Sequence, residues 1–345
     1  MKLNFCTLFD SNYLSRGIAM WQSLSQNCPD SHLYIYAFDD KSYSVLSELK
    51  FPNTTLISLK DFETAELLAI KSSRTAAEYC WTCTPCIISH SINQFNLDHC
   101  TYVDADLFFY SNPKTLIDEM GNDSVLITEH RYTPLYDQSL TSGKYCVQFM
   151  TFKNDDRGMR VLNWWKNECL KWCHARFEDG KFGDQKYLDD WTTRFDGVHE
   201  LQNLGGGVAP WNLQQYFFSR KDNKIYLKKN ETTESYQMVF FHFHHLKIFL
   251  NNIVKITATY FIDRKSLKYF YFPYIKKLME INEQIKKIDN SFDSNGAKSL
   301  SPATPYSMKD KIHLYKEAIV SLNYKKYIQV RINIAMHDYF YLTNL

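Results

Sequence analysis

Two carboxylates one residue apart, Asp104 and Asp106, stand in the run Tyr102-Val103-Asp104-Ala105-Asp106-Leu107-Phe108-Phe109. Where the backbone turns after a buried strand, both can reach one divalent cation. Hard oxygen ligands suit Mn²⁺ or Mg²⁺, and an open coordination position then accepts a diphosphate. Alone, an Asp-x-Asp is equally an ordinary turn that ends a strand. A second group follows at His242-Phe243-His244-His245. Strand alternation places His242 and His244 on one face and His245 on the other. Singly, each histidine is better read as a hydrogen-bonded core residue. Joined to two carboxylates they make a Mn²⁺ donor set, so the candidate ligands are Asp104, Asp106, His242 and His244. Lys247, close behind, can meet a phosphate as a point charge. The third group is Gly183-Asp184-Gln185. Its carboxylate accepts from sugar hydroxyls and its carboxamide both donates and accepts. The competing reading of Asp184 is a helix cap.

These residues need elements that bring them together. Leu3–Phe9 is an apolar run ended by Asp10-Ser11-Asn12, and Leu14–Ser25 follows with helical spacing through Leu14, Ile18, Trp21 and Leu24. His32–Phe38 is a second strand, stopped by Asp39-Asp40. Ser42–Leu49 is a short helix, Thr55–Leu59 a third strand, Thr75–Phe95 a longer helix, and Cys100–Val103 a strand running into Asp104. Strands alternating with helices imply right-handed crossovers and an α/β fold with a mainly parallel sheet. In such sheets ligands bind beyond the carboxyl ends of the strands, where Asp10, Asp39, Asp104 and Asp106 fall. Further strands are expected at Ser124–Thr128, Val147–Phe152 and Met238–His244, a helix at Gly158–Arg176, and a loop or bulge at Leu204–Ala209.

With 345 residues, 45% hydrophobic and 16% aromatic, the chain can bury a large core, and only 11 glycines and 9 prolines exclude a low-complexity chain. No window reaches the ~18 uninterrupted apolar residues of a membrane span. The start is polar again by Asp10, too soon for a signal-peptide core. Nine cysteines without an export signal then indicate a cytoplasmic protein with reduced thiols. Cys80, Cys83 and Cys86 have a metal-cluster spacing, but Trp81, Thr82, Pro85 and Ile87 between them indicate a core helix, and buried packing is the expectation.

The net charge of +2 hides an asymmetry. Residues 251–345 carry 15 Lys and Arg against 8 Asp and Glu, leaving 25 against 30 in the first 250. A catalytic body over 1–250 and a basic, aromatic, helical region over 251–345 are expected, with a flexible break at Ser291–Pro305. The run Arg264–Lys287, with Tyr269, Phe270, Tyr271, Phe272 and Tyr274 among its lysines, has two readings. One is a solvated helix face; the other is peripheral docking at the inner face of an anionic membrane. Nucleic acid is not expected, because no binding-module motif accompanies the charge.

In order and approximate spacing, residues 3–250 resemble glycosyltransferase family 8, the retaining GT-A enzymes that include bacterial lipopolysaccharide galactosyl- and glucosyltransferases. Asp10-Ser11-Asn12-Tyr13 is similar to that family's D-x-N-Y, Asp104-Ala105-Asp106 to its D-x-D, Asp184-Gln185 with Leu188 to its D-Q-x-x-L, and Ala209-Pro210-Trp211-Asn212 to the stretch around its W-N. His242 matches its third metal ligand and Lys247 the lysine of its closing motif. The resemblance implies a GT-A (Rossmann-like) fold, Mn²⁺ or Mg²⁺, a UDP-sugar donor, and a glycan, lipid-linked or protein acceptor. By carry-over, Tyr13 stacks on uracil and Asp10 and Asn12 bond base or ribose, with Leu8, Asp39, Asp104, Ala105 and Lys247 completing the nucleotide-sugar site. Asp184 orients the donor sugar, and Gln185 lies near the anomeric carbon.

Several positions depart from the family. Its arginine-bearing helix is here Glu78-Tyr79-Cys80-Trp81-Thr82, which leaves Arg74 or Lys71 as the substitute, and its F-N-x-G strand is Tyr145-Cys146-Val147-Gln148. A retaining transferase needs no dedicated base, since the leaving phosphate takes the acceptor's proton; Asp189 and Asp190 are the candidates for an inverting one. The alternatives are a nucleotidyltransferase, whose glycine-rich phosphate loop is missing from Leu8–Arg16, and a sugar-nucleotide-binding protein without activity.

Overall fold

Strand β1 (Asn4–Phe9) is buried throughout, and its side chains alternate between two apolar layers: Phe5 and Phe9 on one face, Cys6 and Leu8 on the other. The structure, a computed structural model, describes residues 2–229, 234–250, 253–257 and 260–299, and beyond them 312, 316, 340 and 341. Strands β2 (His32–Ala37) and β3 (Thr54–Ser58) follow β1, then β4 (His99–Val103) and the three-residue β5 (Leu107–Phe109). Next come β6 (Val125–Glu129), β7 (Tyr145–Lys153) and β8 (Val198–Glu200). Seven of these form one sheet in the order β3-β2-β1-β4-β7-β6-β8, parallel except for β7. Strands covered on both faces read as continuous apolar runs, which is why β1, β2 and β4 stood out in the sequence. The expected α/β architecture is present.

The helices Leu14–Asn27 and Phe272–Ile285 share one apolar layer with Phe5, Ile35 and Phe149. The helices Ala76–Gln94 and Asp156–Lys171 share the other with Tyr36, Met150 and Phe152. Beyond β3 the chain crosses to the other side of β1 to form β4, so strand order reverses between β1 and β4. The carboxyl ends of these two strands deliver Asp10 and Asp104 to the same crevice, the switch point at which α/β sheets bind ligands.

The later strands form small antiparallel sheets: β9 (Tyr216–Lys221), β10 (Lys224–Lys229), β11 (Tyr236–Gln237), β12 (Phe240–His242), β13 (Lys247–Phe249) and β14 (Ile253–Lys255). β12 pairs with β5, with His242 opposite Leu107. It is shorter than the expected Met238–His244, because the chain turns at once: Leu246 N–H donates to Phe243 O and His245 takes φ 62. The helix expected at Gly158–Arg176 ends at Lys171.

Three of the five aromatics after Arg264 are core. Phe270 and Tyr271 are fully buried and Tyr274 nearly so; Phe270 stacks on Phe241, and Tyr274 on Phe243 at 3.7 Å between ring centres. Tyr269 and Phe272 are partly buried beside them. Lys265, Lys268 and Lys276 lie exposed on the opposite side, the pattern of an amphipathic helix. Of the expected flexible break, 291–299 is held: Ser294 and Asn295 are buried against the first turn of the Leu14–Asn27 helix. Residues 300–305 lie outside the described residues.

Candidate active site

Asp104 and Asp106 sit in the turn between β4 and β5, and the β5–β12 ladder carries His242 onto them. Nε2 of His242 lies 3.1 Å from Asp106 Oδ1 and 3.7 Å from Asp104 Oδ2. Ligand atoms of the three residues lie within 4.8 Å of one another, and no other such group of three exists among the described residues. Phe243 N–H donates to Asp106 O at 3.0 Å and His242 N–H to Val208 O at 2.9 Å, so backbone bonds fix the approach.

The imidazole is oriented from behind. Its Nδ1 lies 2.8 Å from Oε1 of the fully buried Gln148, which accepts the Nδ1 proton. That bond leaves Nε2, on the carboxylate side, as the atom that can ligate a cation. Asp104 is held as well: its backbone N–H donates to Gln148 O at 3.0 Å, and Tyr102 Oη–H donates to its Oδ1 at 2.7 Å. Two carboxylates and one neutral, pre-oriented imidazole within reach of one point suit a hard or borderline divalent cation. The residues present fit Mn²⁺ or Mg²⁺.

Without a cation these groups divide protons among themselves. Burial pulls His242 down, but the Asp106 and Asp104 charges outweigh it and hold the imidazole well above its ordinary value. Burial raises Asp106, yet His242 overrides it and brings this carboxyl down to about 2. Asp104 moves up, through burial and the Asp106 charge. Burial, with Asp104 next in size, pushes Asp184 up to about 8. Clustered carboxylates without a counter-ion take this form.

Asp184 is buried near Asp104, its backbone oxygen accepting from Trp165 Nε1 at 2.8 Å. Gln185 follows, its Nε2 donating to Ser142 O at 2.6 Å. Asp10 caps the turn Ser11–Tyr13, accepting from Asn12 N–H and Tyr13 N–H, with Asn12 Nδ2 on its other oxygen at 2.8 Å. Tyr13 is 43% exposed, with the Arg16 guanidinium over one face of its ring. Asp39 accepts from Ser42 N–H and from both N–H and Oγ–H of Ser11, tying the ends of β1 and β2 together. Leu8 and Ala105 are buried within the sheet layers beneath the crevice.

Other expected residues stand apart or are engaged. His244 lies outside the ligand group, its ring on His245 and Trp211, and burial followed by the His245 and His242 charges puts it well below its ordinary value. Arg74 Nη1 is bound to His174 at 2.9 Å and to Ser73. Asp189 accepts from Lys144 N–H at 2.7 Å and from Lys186 Nζ at 2.6 Å, while Asp190 pairs with Arg194. Lys247 is exposed at the start of β13. Trp211 and Asn212 are scaffold: Trp211 Nε1 and Asn212 Nδ2 both donate to His130 O, and the indole edge meets the His242 ring. The nine cysteines are unpaired, and among the described residues none joins a metal-ligand group.

Two residues escaped sequence reasoning. The sequence marks Gln148 only within the stretch that departs from the family's F-N-x-G, and its place beside β4 gives it a role. Arg16 is 3% exposed, and its guanidinium lies 4.6 Å over the Tyr13 ring. Its helical position amid Leu14 and Ile18 was the available signal, since arginine is rarely buried without a purpose.

No family model matches the chain. It is 31% identical over 303 residues to the uncharacterized protein YfnF of Bacillus subtilis (strain 168), covering 85% of this chain and 97% of that protein. It is 29% identical over 291 residues to YfnD of the same organism, covering 82% and 91%. Among solved structures it is similar to the galactosyltransferase LgtC, crystallised in complex with donor and acceptor sugar analogs, with a TM-score of 0.48 and 11% identity over 81% of this chain and 96% of that one.

Proposed function

The chain belongs to one family with the Bacillus subtilis protein YfnF, and on its own geometry we propose that it is a divalent-metal-dependent GT-A glycosyltransferase. Its donor is a UDP-sugar and its acceptor a glycan or lipid-linked glycan of a surface polysaccharide. The observation that carries this reading is the convergence of Asp104, Asp106 and a tautomer-fixed His242 at the switch point between β1 and β4. Asp104, Asp106 and His242 would hold the cation, whose chemistry there is to offset the charge that develops on a departing diphosphate.

The chain's own groups supply the rest. Asp10 and Asn12 offer a carboxylate and a carboxamide at the base end, with the exposed Tyr13 ring as a stacking face. Lys247 adds a positive charge at the rim. The Asp184 carboxyl can hydrogen-bond a sugar hydroxyl. The bond from Gln185 Nε2 to Ser142 O orients the carboxamide beside it. Both oxygens of Asp189 are engaged, which favours the retaining course over one using Asp189 as base. No helix of the described residues is long and apolar enough to cross a membrane. With Phe270, Tyr271 and Tyr274 buried, any docking on lipid would rest mainly on the exposed lysines.

A donor-hydrolysis screen across UDP-, GDP- and CMP-sugars, with Mn²⁺ and with chelator, tests the reading. Mn²⁺-dependent release of UDP is the expected result. Turnover confined to CMP-sugars, or turnover indifferent to chelator, would overturn it.

A further inference from the structure

The helix Ala76–Gln94 leads into the amino end of β4, so its own first turns lie at the carboxyl edge of the sheet, the edge that carries Asp104. One face of those turns is uncovered. Ala77 is exposed, Cys80 and Trp81 are half-buried, and Thr84 completes a stripe at i, i+3, i+4 and i+7. The site's carboxylates locate this stripe. Burial, and after it the Asp10 charge, raises the Cys80 thiol, while Thr84 lies against the Asp184 carboxyl and the Tyr102 hydroxyl. The stripe therefore runs between the Asp10–Tyr13 turn and the Asp184-Gln185 pair.

Trp81 is held here from one side only. Its ring lies 6.3 Å from that of Phe182 between centres. Gly183 has φ +52, and a Cβ there would come within 3.3 Å of Trp81 Cε3. The backbone entering Asp184 thus passes directly against the indole, and glycine permits that approach. Yet the indole is not enclosed. It keeps part of its surface in solvent, and among the described residues its Nε1–H donates to no protein acceptor. The buried Trp165 and Trp211 differ, each donating Nε1–H to a backbone oxygen. A free aromatic face with a donor at its edge, beside a carboxyl and a carboxamide, suits a pyranose. The ring covers the sugar's C–H face and the polar atoms meet its hydroxyls.

We propose that Trp81 is the floor of the donor-sugar subsite, packing its indole on the C–H face of a neutral hexopyranose whose hydroxyls bond Asp184 and Gln185. The inference rests on the nucleotide-sugar reading above and adds to it a specificity-determining residue and a sugar class. The class follows from charge. The charge that acts on Asp184 is that of Asp104, of like sign, and Arg74 is engaged by His174 and Ser73. A uronic-acid donor would bring a further carboxylate into this group, whereas neutral hydroxyls find acceptors there.

The test uses the full chain with Mn²⁺, titrated calorimetrically with UDP, UDP-glucose, UDP-galactose and UDP-glucuronic acid. Wild type is expected to bind at least one of the two neutral UDP-hexoses, and UDP-glucuronic acid about tenfold more weakly. Trp81→Ala is expected to weaken that UDP-hexose about tenfold, about 1.4 kcal/mol, with UDP affinity at the wild-type value. Trp81→Leu keeps apolar volume against Phe182 without a flat face or an N–H. It should show the same selective loss, and it carries the test if Trp81→Ala does not fold. Unchanged UDP-hexose affinity in the folded variants would overturn the proposal, as would equal loss of UDP and UDP-hexose. So would a wild type that binds UDP-glucuronic acid as tightly as the neutral donors, or that binds UDP and neither hexose. Wild-type protein that binds none of the four would instead overturn the nucleotide reading on which the proposal rests.

Discussion

Replacing Gln148 by methionine keeps the volume in β7 and removes the acceptor that faces His242 Nδ1 at 2.8 Å. The imidazole then has two choices. It can keep its proton on Nδ1 as a buried, unpaired donor, at a cost of about 1–3 kcal/mol. Or it can move the proton to Nε2, where it faces Asp106 at 3.1 Å and blocks ligation. Either way a cation must be bound against that cost, so Mn²⁺ affinity should fall about 10–100-fold, as for other partners that orient ligating histidines. Stability of the metal-free protein should change little, because Gln148 Nε2 is itself a buried donor without a partner and its removal offsets part of the loss. Paramagnetic resonance of free Mn²⁺ in a titration at pH 8 measures the affinity, and Tm checks the fold. Gln148→Glu, which retains an acceptor oxygen, should bind Mn²⁺ better than Gln148→Met. Wild-type Mn²⁺ affinity in Gln148→Met at an unchanged Tm would show that His242 is not a ligand through Nε2.

Three further outcomes are expected. Asp106→Asn keeps shape and one carbonyl oxygen but removes a negative charge, so Mn²⁺ binding and donor hydrolysis should collapse while the far-ultraviolet spectrum and melting persist; activity at the wild-type level would refute the ligand assignment. Asp184 stands at about 8, a carboxyl raised above its unfolded value, so its contribution to metal-free stability is complete at low pH and is lost as pH rises through about 8. Tm of the metal-free chain should therefore fall from pH 6 to 9, and Asp184→Asn should flatten that fall; identical slopes would count against it. Tyr274→Ala empties a core position stacked on Phe243 and should cost about 3–5 kcal/mol by denaturant titration, whereas Tyr274→Phe deletes a buried hydroxyl without a partner and should be neutral or stabilising.

The strands that alternate with helices were legible because burial on both sheet faces leaves continuous apolar runs, as in Phe5–Phe9 and Leu33–Ala37. The metal triad was legible for a different reason. Neither the carboxylate pair nor the histidine cluster was decisive alone; their combination, in the order of the family's motifs, drew out Asp104, Asp106 and His242. What the sequence concealed was relation. His244 stays beside His242, 5.7 Å between ring centres, but lies outside the three-residue ligand group, with β12 ending at His242 and the chain turning left-handed at His245. Asp189 looks like a free carboxylate until the Lys144 N–H and Lys186 are found on its two oxygens. The sequence marks Gln148 only as part of a departure from the family's motif; its contact with His242 comes from the β4–β7 pairing.

The C-terminal helix shows the same limit at larger scale. A composition shift toward lysine and aromatic residues is compatible both with a membrane-docking appendage and with a helix that buries its aromatics and exposes its lysines. Period decides between them: Phe270, Tyr271, Tyr274, Ile275, Leu278, Ile281 and Ile285 recur at helical spacing and all are buried. They lie against Phe241 and Phe243, which flank His242 in sequence. Support for the metal loop thus comes from residues beyond 260, and the Ser291–Lys298 loop brings the same helix to the other end of the crevice at Asn12. A cut before Arg264 would remove the underside of β12 together with the neighbour of the Asp10–Tyr13 turn, so both ends of the site depend on a region that composition alone sets apart.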